Sequence, residues 1–389
     1  MSSQWANLTK SDIVVTKLHL LTSTPKVLAR EGYVLKLLTE RNIWAKNRCR
    51  NCGQRLKRYQ PLGGEGDLLT FEDHEQSSET PPPAAEEAAR NLLGPAVGTT
   101  QRQKHYCIFH DGQTFKGVYQ CCGGRFNTKG CCSEPNHVAC DLNEVRAEWL
   151  YHKTPHPAIA QAPSASHHAA HPGRAGHQNR GNRGGRNRYI NPHTLTLPPP
   201  APSRTNNKDI RAAVALDCEM GTSVIGNSVL IRLSVVDLFT GLPLINSLVA
   251  PTVDMAHYNT RYSGVTFSAM RIAKQQNQAI RGTDAARNQL LRFVDSDTFI
   301  IMHGGSSDLT ALRIIHPAER IIDTHVLESY EHSARELKKS LKDVCARRCG
   351  IEVQNARLGD GRVAGHDSLE DALAAREIVC AWVRDIPDT

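Results

Sequence analysis

The C-terminal half of this 389-residue chain predicts an α/β domain: a mixed sheet flanked by helices. Two observations predict it. Three apolar stretches of strand length come first, and from Phe267 onward segments of helix and strand length alternate. A third observation bears on the N-terminal part. Cysteines and histidines recur there at short spacings, so the domain is expected to follow a small, zinc-stabilised, partly helical module.

In chain order, residues 11–46 read as mainly helical. Leucines and valines from Leu18 to Leu38 recur at intervals that give one buried stripe per helix, and Thr24-Pro25 reads as a cap followed by a first-turn proline. Residues 62–100 carry EGD, EDHEQSSETPPP and EEAA, with few large apolar residues, and are expected to be a disordered insertion. The Cys/His segment resumes near His105 and ends near Trp149, closing a module at 1–150.

Residues 151–208 hold no Asp or Glu and are rich in Gly, Pro, His, Asn and Arg, so a disordered linker is expected. Five arginines between Arg174 and Arg188 fit either a solvated spacer or a loose grip on phosphates.

The domain at 209–389 then reads as strands at Val214–Met220, Val229–Leu238 and Leu244–Val249. A mostly helical stretch follows from Phe267 to Val294, then a strand at Thr298–His303 and a helix from Ser307 to Ile315. A short strand at Arg320–Asp323 and helices at Glu336–Arg348 and Ser368–Val383 complete it.

Charged residues make up 22%, aromatic residues 5%, and the formal net charge is +8, a balance that permits a polyanionic partner without requiring one. No apolar run is long enough to span a bilayer, so no membrane association is expected. The opening MSSQWANLTKSDIVV lacks the charged-then-apolar layout of a secretory signal. Twelve cysteines in such a chain suggest reduced thiols and metal sites over disulfides.

Four carboxylates and one histidine carry the chemistry. Asp217 and Glu219, two apart in a strand, share a face, and two neighbouring carboxylates repel unless a cation lies between them. Mg²⁺ or Mn²⁺ suits such oxygen ligands. Taken alone, the pair also fits solvated acids at a strand end. Asp308 falls in the first turn of a helix, where the dipole alone favours an acid. Ser368-Leu369-Glu370-Asp371 fits a capping box; with Asp367 as N-cap, Asp371 is instead one position too far and projects toward the strand carrying Asp217. His366, in the preceding loop, is suited to take a proton from an attacking water. His303 reads as a strand-end histidine without a catalytic role.

In combination these residues resemble the DEDDh group of 3′→5′ exonucleases, and within it the Rex-type RNA exonucleases. Leu216-Asp217-Cys218-Glu219-Met220 is similar to the group's first motif, His303 to Leu312 to its second, and Gly365 to Ala372 to its third. Met302 departs from the glycine usual before the motif-two histidine, and Gly304-Gly305 is unusual there.

The resemblance, from about Arg211 to Val383, implies an RNase H-like fold and a metal-dependent exoribonuclease. It would release nucleoside 5′-monophosphates from single-stranded RNA with a free 3′ end. It implies two Mg²⁺ or Mn²⁺ ions on Asp217, Glu219, Asp308 and Asp371, His366 as general base, and the Met220–Gly221 backbone packed on the terminal nucleotide. The basic linker and the resemblance together lean toward a nuclear location. A catalytically silent RNA- or protein-binding adaptor on the same fold, and a DNA-directed exonuclease, are the alternatives.

In the module, Cys49-x2-Cys52 and Cys107-x2-His110 read as two pairs, followed by Cys121-Cys122, Cys131-Cys132 and His137. One or two structural Zn²⁺ ions are expected on Cys49, Cys52, Cys107, His110, Cys122, Cys131 and His137. Adjacent residues point in different directions, so neither Cys121 and Cys122 nor Cys131 and Cys132 can both be assumed to be ligands. The order of these residues resembles CHORD-type zinc modules, and a protein partner is one possible occupant of such a module. Cys218, Cys345, Cys349 and Cys380 read as small core hydrophobes.

Overall fold

The structure is a computed structural model that describes residues 8–56, 107–112, 114–115, 118–125, 128–157, 209–331, 340–356 and 365–388. The expected insertion at 62–100 and most of the expected linker, 158–208, lie outside the described residues. The chain divides into two compact units, one within Met1–Leu37 and Leu150–Thr389, the other within Leu38–Trp149.

The larger unit is built on a mixed sheet. Its strands are β1 (Ala213–Ser223), β2 (Ser228–Asp237), β3 (Pro243–Ala250), β4 (Met255–His257), β5 (Ile280–Arg281), β6 (Phe299–Met302) and β7 (Ile321–Asp323). They run in the order β5-β3-β2-β1-β6-β7, with β4 also pairing β1. β1, β2 and β3 are antiparallel neighbours, while β5 on β3, β6 on β1 and β7 on β6 are parallel.

The alternation along β1 sorts the core. Val214, Leu216 and Cys218 join one buried cluster; Ala213 and Ala215 join another on the opposite face. The second face is covered by α9 (Ser368–Asp385) and α8 (Leu341–Cys349). Ala372, Ala374 and Ala375 let α9 lie close on Ala213 and Ala215. The first face is covered by α5 (Gly282–Leu290) and α6 (Ser306–Leu312).

The stretch expected to be mostly helical from Phe267 to Val294 is interrupted. After the short α3 (Thr260–Ser263), α4 (Phe267–Gln275) ends where Asn277 turns left-handed (φ 54°), and Ile280–Arg281 then extends the sheet. Likewise α6 stops at Leu312, because Arg313 is left-handed (φ 56°), and Ile314–Ile315 forms a short parallel pair with His152–Lys153. α7 (Thr324–Glu331), directly after β7, was not foreseen.

Residues 8–37 belong to this unit and not to the Cys/His module with which the boundary at 150 grouped them. α1 (Asp12–Leu20) puts Leu18, together with Leu21 just after it, in the α9-side cluster. α2 (Pro25–Arg30), capped by Thr24 with Pro25 in its first turn, puts Leu28, with Tyr33 beyond it, in the other. Of the expected stripe only Leu18, Leu21 and Leu28 are buried, against the distant sheet; Leu20 and Leu37 are exposed, and residues 31–39 are not helical. Cys218, Cys345 and Cys380 are buried and Cys349 half-buried.

The smaller unit has short helices at Glu40–Ala45 and Leu142–Glu148 and two two-stranded pairs, Cys107–Phe109 with Cys132–Glu134 and Thr114–Phe115 with Val118–Tyr119. Among its described residues the buried apolar side chains are Cys49, Cys107, Val145 and Trp149. No helix among the described residues is long and apolar enough to cross a membrane.

Candidate active site

The face pattern of β1 dictates where its acids go. Asp217 and Glu219 continue the row of Ala213 and Ala215, toward the layer of α9. Asp367 is the N-cap of α9, accepting the Leu369 N–H at 3.0 Å, so Asp371 is released from any capping box. Asp371 stands one turn in, bonded through its own N–H to the Asp367 carbonyl.

Two contacts fix the helix start over the strands. Ser368 meets Ser234 hydroxyl to hydroxyl at 2.7 Å, and Ser234 is the register partner of Asp217. Arg232, the partner of Glu219, pairs with Asp367 at 2.8 Å. Asp217, Glu219 and Asp371 thereby each bring an oxygen within 4.8 Å of the others.

Asp308 does not enter that cluster. It arrives on α6 from the opposite face, is buried, and accepts a hydrogen bond from the Cys218 backbone N–H. It still acts electrostatically. Asp217 is raised well above the ordinary carboxylate range by burial and then by Asp308, Asp371 and Glu219. Burial likewise pushes Glu219 up to about 8. Asp308 is also pushed up to about 8, by burial and then by Asp323. Burial and the neighbouring acids penalise the charged form of each, a cost that a bound cation would offset. Three converging oxygens of hard character fit a divalent ion such as Mg²⁺ or Mn²⁺.

His366 sits beside the cluster. Its Nδ1 lies 3.1 Å from Asp371 Oδ2, which, ahead of an opposing effect of burial, raises its pKa. Its backbone N–H donates to the Tyr262 carbonyl, and Gly365 lies so close to Gly264 that a Cβ there would stand 2.2 Å from the Gly264 nitrogen.

Sequence reasoning missed Gln354. Its amide donates to both oxygens of Asp371 at 3.0 Å and lies 3.1 Å from His366 Nδ1, holding the pair together. Neither its spacing nor its type announces this.

Asp217, Asp371, His366 and Gln354 line a cleft of about 650 Å³, together with His303, His325 and Asp323. His303, expected to be inert, is therefore a wall of the site; its Nδ1 meets the Thr324 hydroxyl at 2.8 Å. The departure in motif two is self-consistent. Met302 is fully buried, and a Cβ on Gly305 would lie 2.4 Å from Met302 Cβ, so the larger residue and the extra glycine go together. Gly221 is explained by packing, since a Cβ there would meet the Met255 methyl at 2.6 Å; the Met220 carbonyl accepts from Asn259 at 3.0 Å.

In the smaller unit the cysteines and histidines fall into two sets of four. Cys49, Cys52, Cys107 and His137 form one, and His110, Cys121, Cys122 and Cys131 the other. Cys107 and His110, expected as a pair, thus part company across a strand. Cys121 and Cys122 both point into one set, contrary to expectation. They sit in a turn closed by the Gly123 N–H on the Tyr119 carbonyl at 2.8 Å, where neighbouring side chains converge instead of alternating.

The distances fit tetrahedral zinc. Cys49 to Cys107 is 3.5 Å, Cys52 to His137 Nδ1 3.3 Å, Cys122 to His110 Nδ1 3.3 Å and Cys131 to Cys121 3.5 Å. Bonds of about 2.3 Å to sulfur and about 2.0 Å to nitrogen imply separations of roughly 3.8 Å between two sulfurs and roughly 3.5 Å between sulfur and nitrogen, and each pair lies within about 0.3 Å of its ideal. His110 Nε2 donates to the Thr128 carbonyl at 3.2 Å, which leaves Nδ1 as the lone-pair nitrogen facing the thiols.

Comparisons with known proteins come from the nuclease side. No family model matches the chain. RNA exonuclease 3 of Candida albicans is 27% identical over 285 residues, covering 73% of this chain and 55% of that protein. RNA exonuclease 3 of Candida glabrata is 32% identical over 43% of this chain and 37% of its own length. RNA exonuclease 3 of Saccharomyces cerevisiae is 30% identical over 46% of this chain and 39% of its own length. The chain thus spans about half, or less, of these relatives. The Pan2 catalytic unit of Neurospora crassa superposes with a TM-score of 0.37 at 21% identity, over 46% of this chain and 31% of that one, too loosely to carry weight. The similarity to proteins named RNA exonucleases, with the three motifs, supports a DEDD-type exonuclease.

Proposed function

We propose that the larger unit is a metal-dependent 3′→5′ exoribonuclease with an RNase H-like sheet, releasing nucleoside 5′-monophosphates in RNA 3′-end processing or degradation. The observation that carries this reading is the convergence of Asp217, Glu219 and Asp371 within 4.8 Å, with His366 hydrogen-bonded to Asp371 in one cleft.

Asp217, Glu219 and Asp371 would hold the divalent metal, with Asp308 set just behind Asp217. When bound, the metal supplies charge neutralisation and a more acidic water. His366 takes the proton from the attacking water. Its Nδ1 faces Asp371, so Nε2 would receive that proton, and Gln354 is placed to keep Asp371 oriented. The raised carboxylates give the negative cleft its demand for a cation before a phosphodiester can approach.

For the smaller unit the proposal is two structural Zn²⁺ ions, one per set of four ligands.

The test is the full chain with 5′-labelled single-stranded RNA and a matched DNA, in Mg²⁺ or Mn²⁺. Stepwise shortening from the 3′ end, lost with EDTA and in Asp217→Asn, is the expected result. RNA that is bound yet remains intact would replace this reading with the silent adaptor.

A further inference from the structure

Tyr33 touches the cleft from the far end of the chain. Its hydroxyl donates to Asp323 Oδ2 at 2.6 Å, across 290 positions. The other oxygen of that carboxylate accepts the N–H of Gly304 at 2.8 Å and of His325 at 2.9 Å. Asp323 is almost wholly buried, so these three donors decide its orientation. Gly304 begins the loop that runs into α6 and Asp308; His325 is on the cleft wall.

The rest of the segment reinforces the contact. Glu31 lines the cleft, a Cβ on Gly32 would sit 3.5 Å from Ser306 Oγ, and Leu28 and Tyr33 share a core cluster with Met302 and Leu309. Lys17 reaches the Val383 carbonyl at 3.2 Å near the end of α9. Burial, with Asp323 beside it, raises the Tyr33 phenol well above its ordinary value, so the hydroxyl remains a donor.

We propose that Tyr33 is a positioning residue for the cleft, acting through Asp323 on the Gly304 loop and His325, and that residues 8–37 are a working part of the larger unit. Without the phenol, Asp323 Oδ2 is left buried and unpaired, the carboxylate can rotate, and the loop that sets Asp308 loses its anchor. The consequence for turnover rests on the exonuclease reading; the consequence for loop order does not.

The experiment uses the full chain and Tyr33→Phe, which keeps the ring in its packing and deletes one oxygen. Amide exchange at Gly304 and His325 is expected to rise about tenfold, with the core of β1 unchanged. On RNA, kcat is expected to fall about tenfold while KM moves less than about twofold. Tyr33→Phe combined with Asp323→Asn is expected to be no slower than Asp323→Asn alone, as for two residues acting through one contact. Unchanged protection at Gly304 and His325, a uniform rise across the unit, or multiplicative losses in the double variant would each overturn the proposal. If the wild-type chain leaves RNA intact, the exonuclease reading fails, and the exchange measurement alone still decides the role of Tyr33.

Discussion

In the larger unit, three carboxylates meet because a sheet and a long helix bring them together. Residues 217 and 219 lie on a strand whose inner half is wholly buried, and residue 371 on a helix that packs on it. In the smaller unit the converging side chains are themselves the interior: two of the four buried apolar residues among those described there are ligand candidates, Cys49 and Cys107. The first site rides on a fold that stands without it, and its carboxylates repel one another. The second has little else to close around. Removal of the cation should therefore have opposite consequences in the two units.

The sharpest test is Asp217→Asn. Turnover on RNA is expected to drop on the order of a thousandfold, as for loss of a principal charge-binding group. In EDTA, the unfolding midpoint of the larger unit is expected to rise, since a buried group that burial and three neighbouring acids push upward has been neutralised. A fall in that midpoint would mean that the carboxylate cluster supports the fold, and the contrast between the units would disappear.

The matching experiment in the smaller unit is metal removal. Elemental analysis is expected to find two zinc ions per chain, and a zinc chelator is expected to abolish amide protection within residues 38–149 while leaving β1 and α9 protected. Cys121→Ser is expected to lower the count to one and Cys132→Ser to leave it at two, because Cys121 faces the second set and Cys132 is outside both. Two ions retained in Cys121→Ser would restore the rule that only one of two adjacent cysteines ligates.

The same contrast explains what the sequence disclosed. Asp217 and Glu219 were legible as a same-face pair because strand alternation fixes side-chain direction, whereas Asp371 stayed open between two capping schemes until the Asp367 N-cap decided it, and His366 stood out only through the combination of the three motifs. Asp308 was legible as a residue but not in its placement, since only the topology tells that α6 covers the opposite face from α9. Gln354, Asp323 and Tyr33 were invisible: each acts through a contact between distant segments, and a lone Gln, Asp or Tyr has no periodicity. In the smaller unit the ligand types were plain, but their partition was not, because a strand separates Cys107 from His110 and a turn joins Cys121 to Cys122.

Acid should act on the two units by different groups. In the larger one, His316 is buried, with Nε2 2.8 Å from the Thr298 carbonyl and Nδ1 2.8 Å from the Thr154 hydroxyl. Burial pushes its pKa down to about 4 from an ordinary 6.5. Between those values the unfolded chain binds the extra proton, so stability rises with pH there. The contribution is complete above about 6.5 and is lost as pH falls toward about 4, about 3 kcal/mol in all. His316→Gln is expected to flatten that part of the larger unit's stability profile when subtracted from wild type. The smaller unit's acid loss, from protons competing for thiolates, is expected to be unchanged by the substitution and to shift with zinc concentration. Equal profiles for His316→Gln and wild type would remove the histidine from the account.

The smallest effect separates the units most cleanly, because the same chemical change is made in each. Thr24 caps α2 by accepting the Val27 N–H at 3.4 Å; Thr39 caps the helix Glu40–Ala45 by accepting the Asn42 N–H at 3.2 Å, with Asn42 returning the bond. Replacing either threonine by alanine should cost about 1 kcal/mol. In the larger unit the helix is held to a finished core, so Thr24→Ala is expected to lower the thermal midpoint by a few degrees at any metal concentration. In the smaller unit, folding and zinc binding are one equilibrium, so Thr39→Ala is expected to weaken zinc affinity about fivefold, visible in competition with a chelating dye. A Thr39→Ala chain that bound zinc as tightly as wild type yet melted earlier would show a module whose fold precedes its metal, and the two units would then be alike.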